Sequence, residues 1–327
     1  MHIDDTWYKP KVDKKIIKEL SKRSDWEGIK HFSIYFISLV FFGYFAVKYW
    51  GTYLCIPFFI IYGTIWAYSI SNWHETLHRT AFKSRFLNDF FYQISSFMGH
   101  FESNRWRWSH TFHHTNTLQT QDEYDYEIQL TRPTDLIYLL VQFIPFGQLL
   151  YPHRTLQAEI IKHAFGNLTE VVKLNAPEEQ KKIIIRNSRI YLIIWIAIII
   201  FSIYLGSWLP ILLIILPNYY GAPLNQIVNL TQHLGLPFDV KDHRLCTHNV
   251  KINPIFSFLY YRMEYHLEHH MFPMIPSHNL PKLHKIIKDQ LPRPYSSLYN
   301  FYKSVLPTVI KQAYDPNYYL KVNVPNE

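Results

Sequence analysis

The chain has 327 residues, 48% of them apolar and 17% aromatic, with ten glycines, two cysteines and a formal net charge of +8. Those values suit one large domain or two small ones. They exclude a fold stapled by disulfides, because Cys55 lies in an apolar run and Cys246 in a polar one. They also call for no nucleic acid, since basic residues beside a membrane meet anionic lipid headgroups.

In chain order, residues 1–30 form a basic segment carrying Lys9, Lys11, Lys14, Lys15, Lys18, Lys22 and Arg23. About thirty polar residues precede the first apolar run, which argues against a cleavable signal peptide. Residues 32–47, 53–73 and 190–232 contain no Asp, Glu, Lys or Arg. A crossing helix needs roughly 20 apolar residues, so the last run is too long for one crossing, and Gly206-Ser-Trp-Leu-Pro210 offers a turn within it. The pattern predicts two helical hairpins, spanning about 31–49 with 53–73 and 190–207 with 211–230. Apart from Lys48, which can snorkel, the basic residues lie outside these hairpins, which places both termini and the central segment in the cytoplasm. Phe86–Phe101 and Asp135–Tyr151 are too short and polar to cross and are expected to lie at the interface.

Histidine carries the chemical signal. Three short clusters stand out: His74 with His78, His110 with His113 and His114, and His266 with His269 and His270. His233 is the outlier. Residues three and four apart share a helix face, so each cluster projects its imidazoles from one side. Nine imidazoles exceed what one ion can use, so two metals are expected. His74-Glu75-Thr-Leu-His78 also matches the zinc-protease pattern H-E-x-x-H, but residues 190–232 supply no acid to complete such a site and the other two clusters would have no task. Other histidines, among them His2, His31, His163 and His284, are read as surface residues.

These boxes, H-x-x-x-H followed by two of the form H-x-x-H-H, resemble those of the membrane fatty acid desaturase superfamily, which includes acyl-lipid desaturases and related membrane hydroxylases. The run Glu264-Tyr-His-Leu-Glu-His-His-Met-Phe-Pro-Met-Ile-Pro276, followed by Asn279-Leu280, is especially similar to the third-box region of acyl-lipid desaturases. The arrangement of Asn229 and His233 is similar to an extra ligand position in some members, with the Asn reaching a metal through water. Asp122-Glu-Tyr-Asp125 and Asp242-His-Arg244 are also similar to bacterial hydrocarbon-oxygenase members.

The resemblance covers roughly residues 30–290 and implies an all-α integral membrane fold: four transmembrane helices in two hairpins, with a cytoplasmic helical cap holding the di-metal site. Residues 31–290 would form this domain and 291–327 a cytoplasmic tail. It implies two irons, O2 as co-substrate and an external electron donor. Because no His-Pro-Gly-Gly haem motif occurs, that donor is expected to be a separate ferredoxin, rubredoxin-like protein or cytochrome. The expected substrate is a membrane lipid or fatty acyl chain, which is either desaturated or hydroxylated.

Glu75, Asp122, Asp125, Glu264 and Glu268 are candidates to orient the imidazoles by accepting their second N–H. Arg105, Arg107 and Trp108 are candidates for a headgroup contact. Trp66, Tyr68, Trp73 and Tyr219 are candidate walls of an acyl slot, although aromatic residues there also serve as bundle packing.

Overall fold

A computed structural model describes residues 7–120, 125, 127, 136–315 and 317–325. The described residues are helical and contain no named strand; one isolated bridge joins Val250 and Tyr295. In chain order the helices are α1 (Lys14–Leu20), α2 (Asp25–Lys48), α3 (Cys55–Ala67), α4 (Ser69–Leu77), α5 (Arg85–Gly99), α6 (Ser103–Thr115), α7 (Leu136–Val141), α8 (Leu156–Ala164), α9 (Glu170–Asn175), α10 (Glu178–Tyr204), α11 (Pro217–Asn229), α12 (His243–Cys246), α13 (Pro254–Leu259), α14 (His266–Met271), α15 (Leu280–Ile287) and α16 (Leu298–Gln312).

Among the described residues, three helices are long and apolar enough to cross a membrane: α2, α10, and the run Ile211–Asn229, in which a π turn over Ile211–Ile215 leads into α11. Their outer faces remain apolar and uncovered, with Ile37 at 67%, Val40 at 72% and Ile203 at 73% exposure. In water such faces would be costly; against hydrocarbon they are satisfied, and the helical backbone keeps its hydrogen bonds internal. Ser24 caps α2 by accepting the Glu27 amide, with Asp25 and Glu27 in the first turn favouring the positive helix end.

The apolar run 53–73 is built differently from the continuous crossing its composition suggests. It forms α3 and α4, which abut at Tyr68, and neither reaches membrane-spanning length. The break lets α4 turn its polar face, with Asn72, His74 and Glu75, into the protein interior. The third apolar run also differs: its helix begins at Glu178, twelve residues before the charge-free stretch at 190. Gly206, at φ 58°, makes the turn out of α10, a left-handed conformation glycine adopts without a side-chain clash.

α3 packs chiefly between α2 and α11. At the α3–α11 crossing Gly63 meets Gly221 so closely that a Cβ on Gly221 would stand 1.9 Å from the Gly63 carbonyl carbon. Small residues at such crossings let helix backbones touch. The largest core cluster continues from this crossing, through Tyr62, Trp66 and Tyr68, to Leu259, Leu267 and Leu280. α5, expected as an interfacial helix, packs along α4, with Asn88 accepting the Phe82 amide at 3.3 Å.

Candidate metal centre

Four segments bring the histidines together. α4 carries His74 and ends at His78. α6 carries His110, His113 and His114, and its first turn is capped by Glu102, whose carboxylate accepts the amides of Asn104 and Arg105. α14 carries the third cluster; a left-handed turn at Tyr261 and Arg262 sets its direction, and it ends at Met271, just before Pro273, as the sequence predicts. His233 follows the end of α11.

The nine imidazoles sort into two groups. His74, His78, His110, His114 and His269 form one, and His113, His233, His266 and His270 the other; within each, one nitrogen per ring lies within 4.8 Å of every other. The second and third boxes are therefore divided between the groups, His113 from His110 and His114 and His269 from His266 and His270, while both histidines of the first box stay together. Among the described residues neither group includes a sulfur or carboxylate ligand, and the all-nitrogen set suits borderline transition metals such as iron.

Hydrogen bonding fixes which nitrogen faces inward. His110 Nδ1 donates to Glu127 at 3.1 Å, His113 Nδ1 to Asp125 at 2.8 Å, and His233 Nδ1 to the Cys246 carbonyl oxygen at 2.7 Å. Thr117 gives its hydroxyl proton to the His113 carbonyl at 2.7 Å, so its oxygen accepts from His270 Nδ1 at 3.1 Å. A neutral imidazole carries one N–H, so Nε2 of each is a lone-pair donor. Yet these atoms crowd together: His233 Nε2 and His270 Nε2 lie 3.1 and 3.0 Å from His266 Nε2, and His114 Nε2 lies 3.1 Å from His110 Nε2 and 3.2 Å from His269 Nε2. His266, His114 and His269 have no partner at Nδ1, so no hydrogen bond outside the groups sets their tautomers, and with Nδ1 protonated they would add their Nε2 lone pairs to the same point, where a cation would be stabilised. Both ring nitrogens of His74, and Nε2 of His78, are moreover buried without a hydrogen-bond partner. The residues fit a pair of metal ions.

Electrostatics agree with that fit. Burial, reinforced by neighbouring imidazoles, holds His74, His78, His114, His266, His269 and His270 well below the ordinary histidine value. They are neutral near pH 7, as ligands must be. At His113 burial also disfavours the charge, but the Asp125 carboxylate prevails and lifts it to about 9. A metal cation held by His113 would oppose that charge, and the Asp125 carboxylate would keep the Nδ1 proton in place.

The acids flagged in sequence take different roles. Asp125 accepts from His113. Glu75 instead accepts the Ser277 amide at 3.0 Å, tying α4 to the loop after α14. It is buried, and the Ser277 amide occupies the carboxylate that a zinc protease would use as general base. Burial lifts it to about 7. Glu264 accepts the Ser257 hydroxyl, and Glu268 accepts Asn249 at 2.6 Å and contacts His284, a residue read as surface in the sequence. Asp122 lies outside the described residues. Glu127, Thr117 and the Cys246 carbonyl escaped the sequence reading; only Glu127 left a signal, as an acid two residues beyond Asp125.

Asn229 donates to Asn225 at 2.8 Å. Arg105 is buried and paired with Glu159 at 2.8 Å, because a buried guanidinium requires a carboxylate partner. Arg107 lies over the Tyr92 ring and 3.7 Å from Asp89, and Trp108 packs on Phe112. Trp73 stands 5.4 Å from the His110 ring, whereas Trp66 and Tyr68 bond to the carbonyls of Met98 and Leu224. Tyr219 is buried in α11 and gives its carbonyl to the Phe146 amide.

The model of one protein family, described as Fatty acid desaturase, matches residues 48–303, more than half of the chain and all four histidine segments. No curated protein matches the chain at a significant level.

Proposed function

The chain belongs to the fatty acid desaturase family, and from this we propose that it is an O2-dependent di-iron membrane enzyme that introduces a double bond into a fatty acyl chain. The observation that carries the proposal is the pair of all-imidazole groups, each with one nitrogen per ring within 4.8 Å of every other, in a chain with three helices apolar enough to cross a membrane among the described residues. In this reading the nine histidines are the iron ligands, and Asn229 reaches a metal through water. Residues 31–290 form the membrane domain, between a basic segment of residues 1–30 and a tail of 291–327. α3 with the start of α4 supplies the fourth crossing, and the termini and metal site face the cytoplasm.

Two bound irons would supply the one-electron redox changes and O2 activation needed to break an unactivated C–H bond. The protein's own residues do the rest. Asp125 and Glu127 hold His113 and His110 in the tautomer that points Nε2 inward, and the Cys246 carbonyl and Thr117 do so for His233 and His270. Glu75 and Glu268 fix the segments that carry the boxes rather than the imidazoles themselves. Burial of His74, His110 and His269, and of the whole second group, limits water at the reacting methylene. Trp73, beside His74 and His110, is placed to bound the acyl chain near the metals. Arg107, about one-third exposed, is the residue of the α6 start best placed for an anionic headgroup, since Arg105 is engaged by Glu159. Electrons come from a separate donor protein.

The test is lipid mass spectrometry of a bacterial host expressing the chain, beside a His113→Ala control. New acyl species lacking two hydrogens support the desaturase. A gain of one oxygen replaces it with a hydroxylase, because hydrogen abstraction followed by oxygen transfer needs only a small difference in substrate placement.

A further inference from the structure

The second histidine group has no ring at the surface: His113, His233, His266 and His270 are all buried. Among the described residues, the ring leading outward from it is His243, on α12, whose centroid lies 5.2 Å from that of His270. His243 is itself buried, and Trp7 stacks on it at 4.1 Å with an interplanar angle of 7°. Trp7 is half-buried and followed by the exposed Lys9. One bridging ring thus separates this group from the surface. The first group differs: His78 and His114 are themselves partly exposed, and the file from its His110 through Trp73 and Phe101 to Trp106 ends on a buried indole.

Trp7 is held there by more than its stack. Its indole N–H donates to the carbonyl of Thr115 at 3.1 Å, at the end of the helix that bears His113 and His114. The Tyr8 amide donates to Lys241 at 3.1 Å, and the Arg244 guanidinium covers the Tyr8 ring at 3.3 Å. The indole is therefore fixed between two segments, one carrying metal-facing histidines and the other the bridging His243.

We infer that the Trp7–His243 stack is the route by which reducing electrons enter the His113, His233, His266 and His270 group. The inference rests on the di-iron reading above. Electron tunnelling falls off steeply with the gap between π systems, and parallel rings in contact close that gap where saturated side chains leave it open. Each transfer removes one electron from a one-electron donor outside Trp7 and converts one ferric ion to ferrous; no bond to carbon forms or breaks.

Cys55 and Cys246 are both buried, so a Lys9→Cys variant accepts a thiol-reactive ruthenium polypyridyl photosensitiser at one surface position. The iron-loaded, detergent-purified full chain is flashed anaerobically with a sacrificial donor, and reduction of the ferric centre is followed by absorbance and Mössbauer spectroscopy. Iron content and the rate of reduction by dithionite, a small diffusible reductant, are measured on each variant. The expected result is an injection rate that falls by an order of magnitude or more in Trp7→Leu and survives in Trp7→Phe, with iron content and the dithionite rate unchanged. His243→Leu and His243→Phe form a second pair, read the same way, should Trp7→Leu fail to load iron. Equal injection rates in iron-loaded Leu and parent proteins overturn the route while leaving the di-iron reading standing. A parent chain that binds no iron overturns both.

Discussion

Asp125 accepts the Nδ1 proton of His113 at 2.8 Å, with both side chains buried, and also receives the amides of Leu118 and Glu127. Burial opposes the charge on Asp125, yet His113 and these amides outweigh it and hold the carboxyl down to about 2. The carboxylate is thus fixed by the chain before it orients the imidazole. Asp125→Ala should lower metal affinity by about 10–100-fold, in line with partners that orient metal-bound histidines elsewhere. Metal retention against a competing chelator measures this; unchanged retention means that Asp125 does not set the ligand.

Glu127 acts on the other group, through His110. Glu127→Ala should weaken the ion held by His74, His78, His110, His114 and His269 by a similar factor of about 10–100 and leave its neighbour in place. Mössbauer spectra of the two alanine variants should lose different iron signals. Loss of the same signal in both contradicts the division into two groups.

Gly221→Ala tests the α3–α11 crossing. Its Cβ would press on the Gly63 backbone, which cannot swing aside as a side chain could. Separating α3 from α11 should cost about 1–3 kcal/mol, the range for overpacking. Thermal unfolding in detergent reads the loss. Gly51→Ala, where the added atom meets nothing and only the positive φ is strained, serves as the comparison and should lose less.

His248 gives a pH dependence. Burial pushes it down to about 4 although its Nε2 donates to the Leu234 carbonyl at 3.0 Å. The unfolded chain takes up this proton near pH 6.5 and the folded chain only near 4. The unfolded state therefore binds more protons in that window, and stability falls as pH drops through it, by at most about 3 kcal/mol from this residue. Melting temperatures from pH 7 to 4 should decline less steeply for His248→Gln than for the parent. Parallel declines would remove His248 from the acid sensitivity.

Much of this arrangement is legible in the sequence because it is local. The spacing within each histidine box fixes a helix face, and Met271-Phe-Pro273 marks where α14 stops. Asp125 is readable as a partner because it follows the second box closely. Long-range placement is what the sequence hides. Nothing local says that His113 joins His233, His266 and His270 instead of its neighbours on α6, or that Glu75 turns to Ser277, 202 residues away. The break at Tyr68 is hidden for the same reason: hydropathy is continuous through residues 53–73, while the polar residues of α4 are buried by segments distant in the chain. His243 and Trp7 lie far apart in the chain and become adjacent only through folding.

Metal analysis of the purified chain tests the central claim most directly. Plasma mass spectrometry with Mössbauer spectroscopy should find about two irons per chain, one for each histidine group, with His113→Ala and His269→Ala each losing iron. A single zinc per chain, or full iron content in both variants, would contradict it.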